Sequence, residues 1–440
     1  MKSNLDNKEE LRKKILEMVR SYADAYHTKD ESVEFIPYAG RVYDHEEMEN
    51  LVDSALEFWL TGGKWLTTFE KGLGKYLSLP YVLAVNSGSS ANLVAFMALT
   101  SPLLDERRIL PGDEVITVAA GFPTTVAPII QYGAVPVFLD VTLPTYNVDT
   151  AQLEEAYSDK TKAVILAHTL GNPFNVEEVR TFCDRHGLWL IEDNCDALGS
   201  ICTVFGEKQM TGTIGDIATS SFYPPHQMTM GEGGAVYTAN PLLYRICQSF
   251  RDWGRDCRCP SGSDNVCGHR FDGQYGELPK GYDHKYVYSH FGYNLKITDM
   301  QAAIGCAQLK KLPSFVEARR ANWKYLRESL DGLETFILPE PTRGTNPSWF
   351  GFLMTCKNGV HRDDVINMLE GKGIQTRMLF AGNLVRQPCF DEMRKKKQGF
   401  RVLGELKNTD RIMRDSFWIG VYPGMMKKRL KSMIDALRGR

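Results

Sequence analysis

Between residues 60 and 240, short apolar, β-prone runs alternate with stretches of helical period. That alternation restricts the chain to few architectures. The runs at 81–87, 114–118, 135–141, 163–168 and 188–193 read as buried strands, and 89–99, 124–132, 149–157 and 176–186 read as the helices between them. Strands that alternate with helices build a largely parallel sheet covered on its faces by helices. An α/β fold is therefore expected, with ligands at the carboxyl ends of the strands. Gly88, Asp193 and Ser221 fall at or near such ends.

The rest of the chain is organised around this unit. Residues 8–28 read as an amphipathic helix, with Leu11, Ile15, Met18, Val19 and Tyr22 on one face, which fits a packing or dimer-contact helix. Residues 257–285 are rich in Gly, Asp, Ser and Cys without a period, and long loops of this kind often carry function. Beyond residue 310 a helix (316–330), a strand (349–355) and helices at 363–371 and 425–437 read as a smaller α+β domain. The expected division is an N-terminal helical extension (1–60), a large cofactor-binding domain (61–310) and a small C-terminal domain (311–440). Arg394–Lys397 reads as solvated surface.

A net charge of −2 argues against a nucleic-acid or membrane-surface partner, and no apolar run approaches the length of a membrane span. The charged MKSNLDNKEELRKK start does not resemble a signal peptide. Ten cysteines without an export signal point to a cytoplasmic setting, with reduced thiols or a metal centre.

Several segments carry chemistry. Asn86-Ser87-Gly88-Ser89-Ser90-Ala91 lies where a strand gives way to a helix, and free N–H groups there make an anion site, although Ser and Gly also simply cap helices. Leu190–Gly199 ends a buried strand in acidic residues, among them Asp193 and Asp196. A carboxylate there can hold a protonated ring nitrogen or cap a helix. Phe122 follows another strand and fits either a ring-stacking aromatic or a core residue. The segment Ser220–Gly234 runs Ser-Ser-Phe-Tyr-Pro-Pro-His-Gln-Met-Thr-Met-Gly-Glu-Gly-Gly, and Gly292-Tyr293-Asn294 follows later.

In their order and spacing these segments, from about residue 60 to 305, resemble the DegT/DnrJ/EryC1/StrS sugar aminotransferase family, pyridoxal phosphate (PLP) enzymes of fold type I. The resemblance implies that Gly88, Ser89 and Ser221 hold the cofactor phosphate and that Asp193 meets the pyridine nitrogen. It also implies that Phe122 stacks on the ring. Asp196 stands near the ring where a glutamine is usual. Asn294 would reach the cofactor phosphate of the neighbouring subunit, which implies a homodimer with shared active sites. His226 occupies the place of the Schiff-base lysine. Imidazole cannot form that imine, but it moves protons near neutral pH. The change points away from transamination and toward the deoxygenating branch, which uses pyridoxamine phosphate (PMP) and a histidine base.

Cys257-Arg258-Cys259 followed by Cys267 gives C-x-C-x7-C, a spacing that can share a metal or an iron–sulfur cluster. Cys195 is the leading fourth ligand and Cys202 its rival; free thiols with a zinc site are the alternative. Histidine and cysteines together resemble the PMP- and [2Fe–2S]-dependent 3-dehydrases of 3,6-dideoxyhexose biosynthesis. These act on CDP-4-keto-6-deoxy-D-glucose with electrons from an NADH-dependent flavin/iron–sulfur reductase. Alternatives are a 3-dehydratase of a GDP- or TDP-4-keto-6-deoxy sugar, or a non-catalytic protein on the same fold. Arg377 could meet a substrate phosphate or pair with a surface acid. Cys183, Cys247, Cys306, Cys356 and Cys389 are expected in ordinary buried positions.

Overall fold

The computed structural model describes residues 2–27, 33–260, 262–266 and 268–439. Its strands are β1 (Tyr81–Val85), β2 (Glu114–Val118), β3 (Val135–Leu139), β4 (Thr161–Ala167), β5 (Trp189–Asp193), β6 (Ile201–Val204), β7 (Glu207–Met210), β8 (Ile217–Ser221), β9 (Gly234–Thr238), β10 (Phe336–Ile337), β11 (Thr345–Asn346), β12 (Gly351–Cys356), β13 (Arg401–Val402) and β14 (Ser416–Gly420). An eight-stranded sheet forms the centre, in the order β1-β9-β8-β5-β4-β2-β3-β13. Only β9 runs against the others, pairing antiparallel with both β1 and β8. The α/β expectation is met.

The strands form because their residues bury on both faces. β5, β8 and β9 are buried at every position, as a sheet covered on both sides requires. Alternate residues of β1 serve opposite layers. Leu83 and Val85 pack with Phe96, Ile246 and Phe250. Val82 and Ala84 pack with Leu66, Phe69 and Leu73. Helix starts and stops follow local chemistry. Pro123 opens the helix Pro123–Tyr132, and Gly133 closes it at φ 93°. Asn175 caps Val176–His186, and Gly187 ends it.

The smaller unit is the antiparallel sheet β10-β12-β14 with the helix Lys427–Leu437 against it. Its core draws in Ile36 from the N-terminal region and Trp323 from the helix Asp299–Ser329. That helix has 31 residues and runs unbroken through residue 310, where the sequence places a domain boundary. From the C-terminal region β13 returns to the large sheet and pairs in parallel with β3. Ile36 forms a parallel bridge with Ile374.

Other expectations need correction. The 149–157 helix is a 3-10 turn, Thr150–Gln152, and one helical turn, Leu153–Ala156. The 316–330 helix begins much earlier, at Asp299. The 8–28 helix is Lys2–Tyr26; residues 28–32 lie outside the described residues. Its apolar face is uncovered within the chain, with Leu11, Met18 and Tyr22 at 52%, 72% and 55% exposed. Ion pairs of Arg12 with Asp53 and Glu57, and of Arg20 with Glu49, tie it to the helix His45–Glu57. Among the described residues, 257–285 is irregular apart from the turn His284–Tyr286, as its composition predicts. No described helix is long and apolar enough to cross a membrane.

Candidate active site

A cavity of about 640 Å³ opens at the carboxyl ends of the parallel strands, with Gly88, Ser89, Phe122, Asp193, Cys195, Asp196, Ser221 and His226 in its wall. The seven residues expected around the cofactor thus line one cavity, and Cys195, expected as a metal ligand, lines it with them.

The first wall is the start of the helix Gly88–Ala98. Ser87 caps it, accepting from the Ser90 N–H at 3.1 Å. The first N–H groups of a helix have no helical acceptor and, with the dipole behind them, favour an anion. The approach to β8 and β9 is close. A Cβ on Gly88 would stand 2.4 Å from Cβ of Ser221, and one on Gly234 would stand 2.4 Å from the Ser87 carbonyl oxygen. Only glycine permits this packing, which brings the helix start with Ser89 and the end of β8 with Ser221 into one cavity wall.

Asp193 ends β5. Its Oδ2 accepts from Asn92 Nδ2 at 2.8 Å and from Thr125 Oγ1 at 2.7 Å, and Oδ1 accepts from the Cys195 N–H at 3.2 Å. Thr219 Oγ1 donates to Asn92 Oδ1 at 2.6 Å and fixes the amide. Three elements thus hold one buried carboxylate in a single orientation. Local motif reading misses Asn92, although a polar residue inside an apolar helix is its signal. Phe122, 49% exposed, lies edge-on to Phe380 at 5.6 Å between ring centroids and is free to face a ligand ring.

His226 lies in the turn after β8, its N–H on the Tyr223 carbonyl at 3.0 Å. Nδ1 is 3.4 Å from Asp196 Oδ1 and has no hydrogen-bond partner. The ring tilts against Phe350 at 5.2 Å. Burial, and then the charge of Arg319, push the imidazole down to about 3. Burial and the charge of Asp193 push the Asp196 carboxyl up to about 8, against the pull of Arg319. Both shifts favour the uncharged forms. A neutral imidazole with an open ring nitrogen can take a proton. Gln227 donates to the carbonyls of Asp196 and Ser348, joining the two segments.

A further part of the wall is built from distant sequence. Tyr38, Phe350, Arg377, Met378, Phe380 and Trp418 line it, none within the motif segments. The Arg377 guanidinium lies over the Tyr38 ring at 4.1 Å, and its N–H and carbonyl pair with Trp418. No carboxylate among the described residues forms an ion pair with it. Asp193, Asp196 and Glu232 share the wall, and Arg377 is its only arginine or lysine among the described residues. Of the two sequence options for Arg377, the cavity placement favours an anionic ligand over a surface pair.

Among the described residues, the expected metal ligands are not gathered in one place. Cys195 lines the strand-end cavity, whereas Cys257 and Cys259 line a separate small cleft with Asp264, Arg270, His284 and Lys285. Cys267 lies outside the described residues. Cys202, the rival, is buried on β6 with Sγ facing the Gln209 carbonyl. Among the described residues no group of three or more His, Cys, Asp or Glu could hold a metal ion. The described thiols alone therefore do not make a cluster site. Of the remaining cysteines, Cys389 is exposed and Cys306 half-buried, contrary to expectation, because they fall on a surface turn and on a partly open helix face. Asn294 is exposed and absent from the wall of its own cavity, with Lys296 Nζ donating to its Oδ1 at 2.7 Å.

The description "DegT/DnrJ/EryC1/StrS aminotransferase family" belongs to a family model that matches residues 42–438. The chain belongs to this family. Within it, the chain is 53% identical to the lipopolysaccharide biosynthesis protein RfbH of Salmonella typhimurium, over 97% of each chain. It is 46% identical to the dTDP-4-dehydro-2,6-dideoxy-D-glucose 3-dehydratase of Saccharopolyspora spinosa, over 96% of this chain and 91% of that one. Among solved structures it resembles the E coli GDP-4-keto-6-deoxy-D-mannose-3-dehydratase with bound hydrated PLP. The TM-score is 0.79 at 27% identity, over 91% of this chain and 99% of that one. The family cofactor fits the residues present. The glycine-dependent cradle at Gly88, Ser89 and Ser221 suits a phosphate, and the fixed carboxylate of Asp193 suits a ring nitrogen.

Proposed function

We propose that the chain removes the C3 hydroxyl of a nucleotide-linked 4-keto-6-deoxy sugar in a PMP-dependent reaction, with His226 as the base. The observation that carries this reading is His226 itself. A proton-moving side chain replaces the imine-forming lysine in the wall of a cavity that otherwise suits the cofactor. Dehydratases acting on such sugars among the relatives and solved structures support the reaction class.

When bound, PMP supplies an amine for the substrate ketone and a conjugated ring that takes up electron density. Gly88, Ser89 and Ser221 hold its phosphate, Asp193 keeps its ring nitrogen protonated, and Phe122 faces the ring. With PMP bound, His226 would take the proton at the C4′ carbon, and the departing C3 hydroxyl would take up a proton and leave as water. Asp196, 3.4 Å from Nδ1, stands beside the imidazole as it takes the proton. Arg377 meets the substrate diphosphate. Asn294 completes the neighbouring subunit's phosphate site in a homodimer.

The substrate we favour is CDP-4-keto-6-deoxy-D-glucose, with dTDP- and GDP-linked sugars as the alternatives. A [2Fe–2S] centre is assigned to Cys257, Cys259 and Cys267 of the cysteine loop and to Cys195, which lines the other cavity, fed by an NADH-dependent reductase. This part of the proposal rests on the sequence pattern. Two irons and two acid-labile sulfides per chain in anaerobically purified protein support it, and iron-free protein refutes it.

His226→Asn tests the central claim. The variant is expected to bind PMP with the same absorbance change and to lose about 10²–10⁴ in dehydration rate, the usual worth of a general base. Wild-type turnover would remove His226 from the chemistry.

A further inference from the structure

Arg319 is 1% exposed, yet no carboxylate among the described residues forms an ion pair with it. A buried cation is expensive unless its surroundings compensate it. Here the compensation is four backbone carbonyls. Nη2 donates to Pro225 at 3.0 Å and His226 at 2.8 Å, and Nη1 donates to Trp349 at 3.2 Å and Phe350 at 3.4 Å. Nε has no partner. The two nitrogens thus divide their bonds between two segments more than a hundred residues apart. One holds the proposed base and the other holds Phe350, against which its ring rests.

We infer that Arg319 is a positioning residue for the reaction proposed above, its guanidinium fork holding the His226 turn against Trp349–Phe350 so that the imidazole faces Asp196 and the cavity. A planar fork reaches two pairs of acceptors at once; an ammonium is a single point and cannot. A hydrophobic side chain of similar volume could fill the space without the cost of a buried charge, so packing alone does not account for an arginine here.

The test compares full-length Arg319→Met and Arg319→Lys with wild type, each loaded with PMP. Readouts are PMP affinity by absorbance titration, the split between KM and kcat, and the ring-current shift that Phe350 gives His226, read by NMR of histidine-labelled protein at one pH without substrate. Arg319→Met is expected to bind PMP and substrate within a few-fold of wild type. Its kcat should fall by about 100-fold, the scale set by a misplacement of about 1 Å. Its His226 resonance should lose the Phe350 shift. Arg319→Lys keeps the charge and loses the fork, so both kcat and the Phe350 shift fall in it too. Wild-type kcat in either variant overturns the inference, as does an unchanged His226 resonance in Arg319→Met. Loss of PMP binding, KM and kcat together, or failure of both variants to fold, assigns Arg319 to the scaffold alone. The inference rests on His226 being the base. Wild-type turnover in His226→Asn defeats that reading, whereas the His226 resonance judges Arg319 without reference to turnover.

Discussion

Exposed Arg377 has its guanidinium over Tyr38 and shares the cavity wall with exposed Glu232, buried Asp193 and half-buried Asp196. A dianionic diphosphate would meet repulsion from the acids and attraction at this one point, which holds the diphosphate at Arg377. Hydrogen bonds to charged groups contribute about 1.5–3 kcal/mol, so Arg377→Met should raise KM roughly 10- to 100-fold. Steady-state kinetics should show kcat within a few-fold, because Arg377 takes no part in the proton transfer. An unchanged KM would place the diphosphate elsewhere. At this scale the sequence was legible where a site residue belongs to a short segment at a strand end. Gly88, Ser89, Asp193, Asp196, Ser221 and His226 are of that kind. It was silent on Tyr38, Phe350 and Trp418, whose neighbours carry no pattern and which reach the site only through tertiary pairing.

Among elements, the turn leading into β8 depends on Glu192, buried in the strand beside Asp193. Its carboxylate accepts from the N–H groups of Gly212, Ile214 and Gly215 and lies 3.1 Å from Nε2 of His168. Burial pushes this carboxyl up, but His168 and the backbone donors outweigh it and hold it below the ordinary range. A carboxylate depressed by folding adds stability above its unfolded pKa, and the protein loses that stability as pH falls through the folded value. Glu192→Gln should therefore cost about 3–5 kcal/mol at pH 7, the scale for breaking a buried pair. Its urea midpoint should change less than that of wild type between pH 7 and pH 4. Equal pH dependence in the two proteins would show that Glu192 does not couple folding to protons. Periodicity revealed most elements of the large sheet because their burial is one-sided or complete. It missed the first half of the helix Asp299–Ser329, where Gly305 and Pro313 read as breakers. Packing overrides them. A Cβ on Gly305 would stand 2.4 Å from Met230 Cε and 3.0 Å from Phe69, so the glycine serves close approach rather than a turn.

For the whole molecule, Asn294 is exposed and does not line its own cavity, and Phe291 beside it is 100% exposed. If each cavity borrows Asn294 from a neighbour, two inactive homodimers can rescue one another. Refolding His226→Asn together with Asn294→Ala should restore about a quarter of wild-type activity, since random pairing makes half the dimers mixed and each mixed dimer has one intact site. No rescue, with mixed dimers verified by mass spectrometry, would leave Asn294 outside the neighbour's site.

β13 bears on how the chain comes off the ribosome. A growing chain that has completed β1 to β9 has most of its central sheet, but the edge at β3 stays open until residues 401–402 emerge to pair with it. Over the same interval the cavity wall is incomplete, because Phe350, Arg377 and Trp418 arrive late. An unpaired edge is a template for other chains. The interval before residue 402 is thus the stretch of synthesis most exposed to misassociation, and neither cofactor nor substrate can find a finished site before it closes.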